Sequence, residues 1–402
     1  MKIVYLHQYF KTPASNGGIR SYHFARALTM RGHDVHVVTS DTSVEGPAES
    51  VSQVDGITVH YLHVPYSNSM SFTRRIRAFL DFAVRASIAS RRLRADVVVA
   101  TSTPLTIAMP ALWATFGRRA RFVFEVRDLW PTVPIEMGLL RNPVLIAAAR
   151  LLERITYRRA DKIIALSEGM ARGVADAGVS KDKIVVIPNI ADIETFADDS
   201  PPPSTASRFV ENLGDRPVVL YCGTFGRVNG LQYMVELAEA ALALGSDLAF
   251  VAVGEGAERE AVVSEARGRG VLGKTFFALS PVTKQELPAL FRSATFGSSW
   301  VIDVPALEHN SANKFFDTLA AHRPLLINHG GWQADALEQS GAGWRLDRDP
   351  QIAIEQLNTI LSEPGAVMRA GAAARALAEQ EYALTVLSDR FSRAVAPPPA
   401  SS

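Results

Sequence analysis

Two glycine-rich segments are the places where this chain is best suited to bind a phosphate. The first ends in Gly17 and Gly18, directly before a helix-like stretch, and the second begins at Gly223 and contains Gly226 and Arg227. Glycine lets backbone N–H groups approach a ligand, and a helix N-terminus adds partial positive charge. Because Arg227 supplies a permanently charged, forked donor, the second segment is predicted to bind a diphosphate. A structural turn is the alternative for both segments.

A third cluster, formed by Asn313, Lys314 and Asp317, lies at the start of another helix-like stretch. Residues three and four positions apart lie on neighbouring turns of one helix face. An amide, a cation and a carboxylate could therefore converge on one anionic, polyhydroxylated ligand. We expect Lys314 to join Arg227 in neutralising a diphosphate, and a solvated helix start is the alternative.

Other motifs exclude several classes of site. Neither glycine segment matches G-x-G-x-x-G or G-x-x-x-x-G-K-[ST], which argues against a dinucleotide-dependent dehydrogenase and a P-loop ATPase. The single Asp-x-Asp, at 347–349, precedes Pro350 and is interpreted as a turn and helix cap rather than a metal site. The histidine pairs at 33 and 36 and at 60 and 63 lie at strand margins and are interpreted as structural. We expect no metal cofactor.

These clusters need a fold that brings loop residues together at one edge of a sheet. Strand-like apolar runs alternate with helix-like stretches, as a parallel sheet with helices on both faces requires. The predicted strands are Lys2–Leu6, Val35–Thr39, Ile57–Leu62, Val97–Ala100, Phe122–Glu125, Lys162–Ala165, Ile184–Ile187, Val218–Cys222, Leu248–Val253, Lys274–Ala278, Phe296–Ser299 and Pro324–Asn328. The sequence therefore predicts an α/β protein with two Rossmann-like, doubly wound domains facing an interdomain cleft, with ligands at the carboxyl ends of the strands.

Length and composition agree with two domains. The chain has 402 residues, of which 48% are apolar and 21% charged, and this composition excludes a largely disordered protein. The polar, proline-rich stretch at 198–204 predicts a linker. We assign residues 1–197 to an N-terminal domain, 198–215 to the linker, 216–378 to a C-terminal domain and 396–402 to a disordered tail.

The cysteine content and the distribution of charge indicate the cellular compartment and the class of binding partner. The single cysteine, Cys222, excludes an internal disulfide and favours a reducing cytoplasm. The apolar N-terminus has the length of a strand rather than a leader, and no uncharged apolar stretch reaches about 18 residues. The first 200 residues carry 25 basic and 19 acidic side chains. This excess favours an anionic partner for the first half but is too small to indicate nucleic acid.

Residues 71–94 form the most basic amphipathic stretch of the chain. They contain seven arginines and one acidic residue, Asp81, interleaved with apolar side chains. Such a helix can lie on anionic lipid. We expect a cytoplasmic protein with peripheral contact to the inner face of the cell membrane, and a solvated helix face is the alternative.

Several motifs together resemble a known family, family 4 of the retaining glycosyltransferases with the GT-B fold. The motifs are Gly17-Gly18, the R-G-H-x-V-x-V-x-T pattern from Arg31, Ala160–Ser167, Ile187–Asp192 and Gly223–Gly230. Two more, Arg127–Pro131 and Asn313–Ala321, resemble more narrowly the bacterial O-antigen and capsule transferases of the fucosaminyltransferase type. The resemblance covers nearly the whole chain.

The resemblance implies a reaction. A sugar would move from a nucleotide diphosphate sugar, expected to be UDP-linked, to a saccharide or a polyprenyl-diphosphate-linked acceptor in bacterial surface polysaccharide synthesis. The anomeric configuration would be retained by front-face attack without a metal. Asp128, which follows a predicted strand, is the candidate to contact the acceptor hydroxyl, and a salt bridge with Arg127 is its alternative.

The resemblance also implies roles for other residues. Val282 would present backbone groups to the base, Asp317 would contact the ribose, and the last helix, placed at 379–395, would cross back to the N-terminal domain. The family carries two glutamates separated by seven residues. His309, beside Glu308, stands in the first of these positions, and Asn229 stands where the family has a phosphate-binding lysine.

Two other functions stay open at this point. A nucleotide-sugar 2-epimerase could share the fold and the donor site without forming a glycosidic bond. A non-catalytic nucleotide-sugar-binding protein is favoured only by the missing first glutamate.

Overall fold

The structure is a computed structural model that describes residues 1–13, 18–43, 45–66, 70, 72–102, 104–197 and 205–397. It divides into two compact units, one formed by Met1–Pro188 and Leu387–Ser402 and the other by Asn189–Val386. Gly17, the proline-rich stretch at 198–204 and the tail from 398 lie outside the described residues.

The first unit contains one sheet of eight described strands in the order β3-β4-β2-β1-β5-β6-β7-β8. The strands are β1 Lys2–Leu6, β2 Asp34–Asp41, β3 Glu49–Val54, β4 Ile57–His63, β5 Val97–Thr101, β6 Arg121–Val126, β7 Lys162–Ala165 and β8 Ile184–Val186. The helices are α1 Arg20–Met30, α2 Phe72–Leu93, α3 Ala108–Thr115, α4 Thr132–Glu136, α5 Pro143–Arg159 and α6 Glu168–Asp176.

All neighbouring strands of this sheet are parallel except β3 and β4. The central strands are buried on both faces, which explains their continuous apolar runs. The edge strand β3 was not predicted from the sequence, because Glu49, Ser50, Ser52 and Gln53 are polar and exposed. It pairs with β4 through a hairpin at Asp55 and Gly56, both of which have positive φ.

The second unit contains a sheet of six described strands, all parallel, in the order β11-β10-β9-β12-β13-β14. The strands are β9 Val218–Cys222, β10 Ala249–Val253, β11 Phe276–Leu279, β12 Phe296–Ser299, β13 Leu325–Ile327 and β14 Gly343–Arg345. The helices are α7 Ile193–Ala197, α8 Thr205–Glu211, α9 Leu231–Ala243, α10 Arg259–Gly268, α11 Leu287–Arg292, α12 Asn313–Ala320, α13 Trp332–Ser340, α14 Pro350–Ser362 and α15 Ala366–Leu377.

The boundary between the units lies at residues 188 and 189 rather than at the proline-rich stretch. Helix α7 packs on α11 and α12, and α8 packs on α11. Phe196 and Val210 are buried in the core of the second unit. The domain limit at 197 and the linker at 198–215 were therefore placed too late, because proline content marks a break in secondary structure and not the edge of a core.

A last helix, α16 Leu384–Val395, returns to the first unit. The ring of Phe391 stacks on that of Phe24, with the centroids 4.2 Å apart, and lies 6.0 Å from that of Tyr5. The chain passes between units at 386 and 387 and not at 379, because Tyr382 packs on Phe315 in the second unit. Among the described helices, none is long and apolar enough to cross a membrane.

Candidate active site

The second glycine segment, residues 223–230, leaves the carboxyl end of the central strand β9. The end of β10 and the loop that follows it hold this segment in place. Gly223 N–H donates to Val253 O (3.0 Å), and Phe225 N–H donates to Glu255 O (2.9 Å). A Cβ at Gly254 would lie 1.9 Å from Gly223 O, and one at Gly256 would lie 2.4 Å from Phe225 O. Only glycine fits this contact, so the loop after β10 fixes the shape of the segment.

The segment ends in a single turn of 3-10 helix, Arg227–Asn229, followed by Gly230 in the left-handed conformation at φ 50°. Asn229 Nδ2 donates to Thr224 O (2.9 Å) and closes the loop. Gly230 then starts α9. Arg227 is left exposed at the tip of a loop whose backbone is fixed at both ends.

Lys314, from the first turn of α12, reaches this loop. Its Nζ donates to Asn229 Oδ1 (3.2 Å) and lies 5.0 Å from the ring centroid of Tyr221. A Cβ at Gly223 would lie 3.4 Å from the same Nζ. Burial lowers the pKa of Lys314 to about 8, against the opposing influence of Cys222 and Asp317. A negatively charged ligand at the loop would hold this lysine in its charged form.

Asp317 lies one turn further along α12 and is half-buried. Burial raises the pKa of its carboxyl to about 7; Asp192 adds to the rise, and Lys284 and Lys314 oppose it. Lys284 Nζ already forms an ion pair with Asp192 Oδ2 (2.6 Å). Burial thus disfavours the ionised form of the Asp317 carboxyl. Carboxyl groups with such a raised pKa are common at functional sites.

The residues expected to contact the base and the sugar occupy other loops of this unit. Val282 follows β11, is half-buried, and packs against the core. Asn313 begins α12 and is exposed. Glu308 Oε1 accepts the N–H of Gly330 (3.3 Å) in the loop after β13, whereas the neighbouring His309 is half-buried.

Asp347 and Asp349 confirm the cap interpretation. The Asp349 side chain accepts from the N–H groups of Gln351 (2.9 Å) and Ile352 (3.3 Å) at the start of α14. Asp347 Oδ1 accepts the N–H of Asp349 (2.8 Å). Within the part of the chain that the structure describes, no group of three or more His, Cys, Asp or Glu side chains could hold a metal ion.

The first unit has a buried polar cluster that the sequence did not reveal. Arg20, at the start of α1, forms an ion pair with Glu125 of β6 (2.9 Å) and donates to the carbonyls of Ile187 (2.7 Å) and Pro188. Glu125 also accepts from Tyr5 and Thr101 hydroxyls, at 3.2 and 2.5 Å. The available signal was a single acidic residue within the apolar run of a central strand.

The predicted residues of the first unit lie near this cluster in the chain. Gly18 is half-buried and lies two residues before Arg20. Asp128 is half-buried and follows β6, and its carbonyl accepts the N–H of Trp130 (2.9 Å). The Arg127 guanidinium lies 3.4 Å from His7 Nε2. Burial lowers the pKa of His7, and the charge of Arg127 adds to this effect, so a buried neutral imidazole follows β1.

The predicted site residues therefore fall into two groups, one in each unit. In the second unit the structure brings Gly223 and Lys314 together, with Asp317 one helical turn away and Arg227 at the loop tip. Sequence reasoning missed the supporting contact of Asn229 with Lys314, which joins residues 85 positions apart.

The chain is similar to known glycosyltransferases in sequence and in fold. Residues 17–190 match the family model of the glycosyl transferase 4-like domain. The chain is 24% identical over 289 residues to the putative colanic acid biosynthesis glycosyl transferase WcaI of Escherichia coli, which covers 66% of this chain and 68% of that protein.

Three solved structures share the fold at low sequence identity. Sucrose-phosphate synthase from Thermosynechococcus elongatus has a TM-score of 0.74 at 14% identity and covers 98% of this chain and 97% of its own. HepE from Anabaena, in complex with UDP-glucose, has a TM-score of 0.70 at 15% sequence identity, and the match covers 98% of this chain and 98% of HepE. An Escherichia coli structure described as trehalose-6-phosphate bound with UDP-2-fluoro glucose has a TM-score of 0.76 at 12% sequence identity. The match covers 97% of this chain and 98% of that chain.

These findings confirm two predictions. The fold is that of the GT-B glycosyltransferases, with two Rossmann-like units built on mainly parallel sheets. The match of residues 17–190 to the glycosyl transferase 4-like domain and the WcaI likeness support glycosyltransferase activity.

Proposed function

We propose that this protein is a retaining glycosyltransferase that moves a sugar from a UDP-sugar to a saccharide or a polyprenyl-diphosphate-linked acceptor in bacterial surface polysaccharide synthesis. The observation that carries the proposal is the position of Lys314, whose ammonium group lies against the rigid glycine segment at the end of the central strand. A cation beside a strand-to-helix loop and the N-terminus of the following helix form a site for a diphosphate.

Lys314 and Arg227 have distinct parts in this proposal. Lys314 is positioned before the ligand arrives, whereas Arg227 is exposed and would fold onto the diphosphate. The start of α9, directly after the segment that contains Gly223 and Gly226, would add partial positive charge. Together they would stabilise the negative charge that develops on the diphosphate as it leaves, which is the main electrostatic demand of this reaction.

The nucleoside half of the donor would be held by the remaining residues of the second unit. Asp317 would accept hydrogen bonds from the ribose hydroxyls, Asn313 would reach the diphosphate or the sugar, and Val282 would present backbone groups to the base. The related HepE structure holds UDP-glucose and favours uridine as the base.

The chemical step balances without a further reactant. The acceptor oxygen forms a bond to the anomeric carbon as the bond from that carbon to the diphosphate oxygen breaks. The acceptor proton passes to the departing diphosphate oxygen on the same face, which retains the configuration and needs no protein nucleophile. Asp128 would contact the acceptor hydroxyl, and Gly17 and Gly18 would line the acceptor side. We propose that no metal is required.

The acceptor class rests on two supporting observations. The WcaI relative is named for colanic acid biosynthesis, a surface polysaccharide. The basic helix α2 of the first unit is amphipathic and carries Arg91 and Arg92 in its last turn. A lipid-linked acceptor would be met at the inner face of the cell membrane, where α2 would contact anionic lipid.

Thermal stabilisation and product formation test the proposal. UDP and UDP-sugars are expected to raise the melting temperature of the native protein. The Lys314→Met variant should lose this response, and Lys274→Met, at an exposed position outside the site, should keep it. With acceptor supplied, the native protein should release UDP. Failure of every nucleotide sugar to bind would overturn the proposal, and an epimerised sugar formed from donor alone would assign the 2-epimerase reaction instead.

A further inference from the structure

The first unit carries an apolar surface that its own core does not use. Helices α2 and α3 pack together, as do α3 and α5. Each presents exposed apolar side chains at helical spacing: Leu80, Val84 and Ile88 on α2, Met109 and Trp113 on α3 with Phe116 at its C-cap, and Leu151 and Ile155 on α5. We call these eight residues the three-helix surface. Single exposed apolar residues are ordinary, but three adjacent stripes indicate a binding face.

Two aromatic side chains lie at the centre of the three-helix surface. Trp113 is 51% exposed and Phe116 is 60% exposed. Their rings are parallel within 2°, with the centroids 6.5 Å apart. The guanidinium of Arg91 on α2 lies 4.8 Å from the ring centroid of Trp113. Large aromatic groups exposed to this extent are typical of side chains that enter an interface.

Arginines surround this apolar face. A pocket of about 440 Å³ is lined by Ile88, Arg91, Arg92, Arg94, Trp113 and Arg118. A second, of about 320 Å³, lies between α3 and α5 and includes Arg118, Ile155 and Arg159. Arg118 lines both pockets, which shows that the basic rim continues from α2 to α5.

Two of these arginines, Arg91 and Arg118, also form hydrogen bonds that stabilise the ends of helices. Arg91 donates to the carbonyls of Trp113 (2.6 Å) and Phe116 (3.1 Å), and Arg118 donates to the carbonyl of Arg91 (2.9 Å). Both therefore cap helix ends. Arg92 and Arg159, in the last turns of α2 and α5, and Arg119 are exposed near them. Their side chains are therefore accessible to an anionic partner.

The described carboxylates near the three-helix surface are fewer than its arginines; they are Asp81, Asp96, Glu153 and Asp161. Asp96 accepts the backbone N–H of Lys2 (2.7 Å). Asp81 forms an ion pair with Arg85 (2.9 Å). Asp161, in the second pocket, accepts the backbone N–H of Phe122 (2.7 Å). A second copy of this chain docked on the same face would bring arginines against arginines. An anionic lipid surface would instead take up both the apolar stripes and the basic rim.

We infer that the three-helix surface is a docking face for an anionic membrane, with Trp113 and Phe116 entering the interfacial region and the arginines at its rim binding lipid phosphates. This inference rests on the proposed function and deepens it, because it extends the membrane contact from α2 to α3 and α5. The phosphate groups come from the bilayer, and free phosphate in solution would not supply the apolar half of the contact.

Vesicle flotation with three matched variants tests the inference. The native protein should bind vesicles of phosphatidylcholine mixed with phosphatidylglycerol, bind phosphatidylcholine alone weakly, and dissociate at high salt. Arg92→Gln/Arg119→Gln/Arg159→Gln should weaken binding to the mixed vesicles by about 100-fold, since each of the three arginines near an anionic surface is worth about fivefold. Trp113→Ser/Phe116→Ser should weaken binding to both kinds of vesicle.

The control is a triple variant of the same charge change elsewhere, Arg172→Gln/Arg208→Gln/Arg267→Gln, whose positions are also exposed. It should bind mixed vesicles like the native protein. Equal losses in the two arginine triples, or no native binding to mixed vesicles, would overturn the inference. A concentration-dependent dimer that the aromatic variant abolishes would also overturn it and assign the face to a second copy.

Turnover with a water-soluble acceptor keeps this result separate from that of the proposed function. All three variants should release UDP at the native rate, because none alters the candidate active site. A native protein that binds mixed vesicles but releases no UDP with any acceptor would contradict the proposed function and leave the docking face standing.

Discussion

Glu125 in the first unit and Asp317 in the second are two acidic residues at comparable positions near the carboxyl edge of a parallel sheet, with opposite electrostatics. Burial alone would raise the pKa of Glu125, but the charges of Arg20 and Arg127 and the hydrogen bonds from Thr101 and Arg20 lower it. Burial raises the pKa of Asp317 to about 7, and its neighbours do not reverse this. Glu125 is ion-paired and hydrogen-bonded within the fold, whereas the charges of Lys284 and Lys314 near Asp317 do not offset its burial.

The cations differ in the same way. Arg20 binds Glu125 and two carbonyls within the first unit. Lys314 donates to an amide oxygen rather than to a carboxylate, and burial lowers its pKa to about 8. Removing one partner of a buried ion pair leaves an unpaired charge that destabilises the fold, whereas an ionisable group whose charged form is disfavoured by burial is typical of a functional site. The first cluster is therefore structural, and the second belongs to the candidate active site.

The largest expected effect is on stability in the first unit. Arg20→Met leaves Glu125 buried and unpaired, so the free energy of unfolding should fall by about 3–5 kcal/mol. Urea denaturation at neutral pH measures it. Because the pKa of Glu125 is lowered in the folded state, the stability that its ionised form contributes is present above its unfolded pKa and is lost as the pH falls through the folded pKa.

The matched control for this prediction removes both charges. Arg20→Met/Glu125→Leu should recover most of the lost stability, because apolar residues can replace a buried pair at little cost. Lys314→Met, in the second unit, should leave the unfolding free energy close to native. If Lys314→Met destabilised the protein as much as Arg20→Met, the distinction between the two clusters would fail.

The second effect is on turnover. Lys314→Met should lower kcat/KM for UDP-sugar transfer by about 100-fold or more, because a positioned donor that stabilises charge in the transition state contributes on this order. Steady-state UDP release measures it. Lys314→Arg keeps the charge and should restore part of the activity, while Lys274→Met should be indistinguishable from native. Unchanged turnover in Lys314→Met would remove Lys314 from the site.

These two clusters also show which features of the candidate site could be predicted from the sequence. The glycine segment, Lys314 and Asp317 were predicted because their types and spacing are local along the chain. The contact of Lys314 with Asn229 was not, since it depends on how α12 packs beside β9. The role of Glu125 could not be predicted, because a single acidic residue in a buried strand forms no repeating pattern in the sequence. Its partner Arg20 is also 105 positions away.

The fold shows the same limit. The central strands were predicted almost to the residue because burial on both faces demands continuous apolar runs, as in Val218–Cys222. The edge strand Glu49–Val54 was missed because exposed strands need no such run. The close contact of Gly254 with Gly223 shapes the candidate active site, and backbone approach of this kind leaves no trace in local composition.

The third prediction concerns pH. The folded pKa of Lys314, about 8, means that a diphosphate, which requires the charged lysine, should bind less tightly as the pH rises above about 8. Isothermal titration of UDP should show an affinity that falls by up to about tenfold per pH unit in that range. Lys314→Arg should remain flat there, because arginine keeps its proton. A native profile as flat as that of Lys314→Arg would place the diphosphate away from Lys314.

The smallest effect has the opposite sign to the first. The folded pKa of Asp317, about 7, lies above its unfolded value of 3.8, so the ionised form costs stability. This cost is absent well below about pH 4 and complete above about pH 8. Asp317→Asn should therefore raise the unfolding free energy by about 1 kcal/mol at pH 8, a figure kept small because the side chain is half-buried, and change little at pH 3.5. The same variant should bind UDP more weakly if its carboxylate contacts the ribose. A variant that lost stability at pH 8, as Arg20→Met is expected to do, would show that Asp317 has its partners within the fold after all.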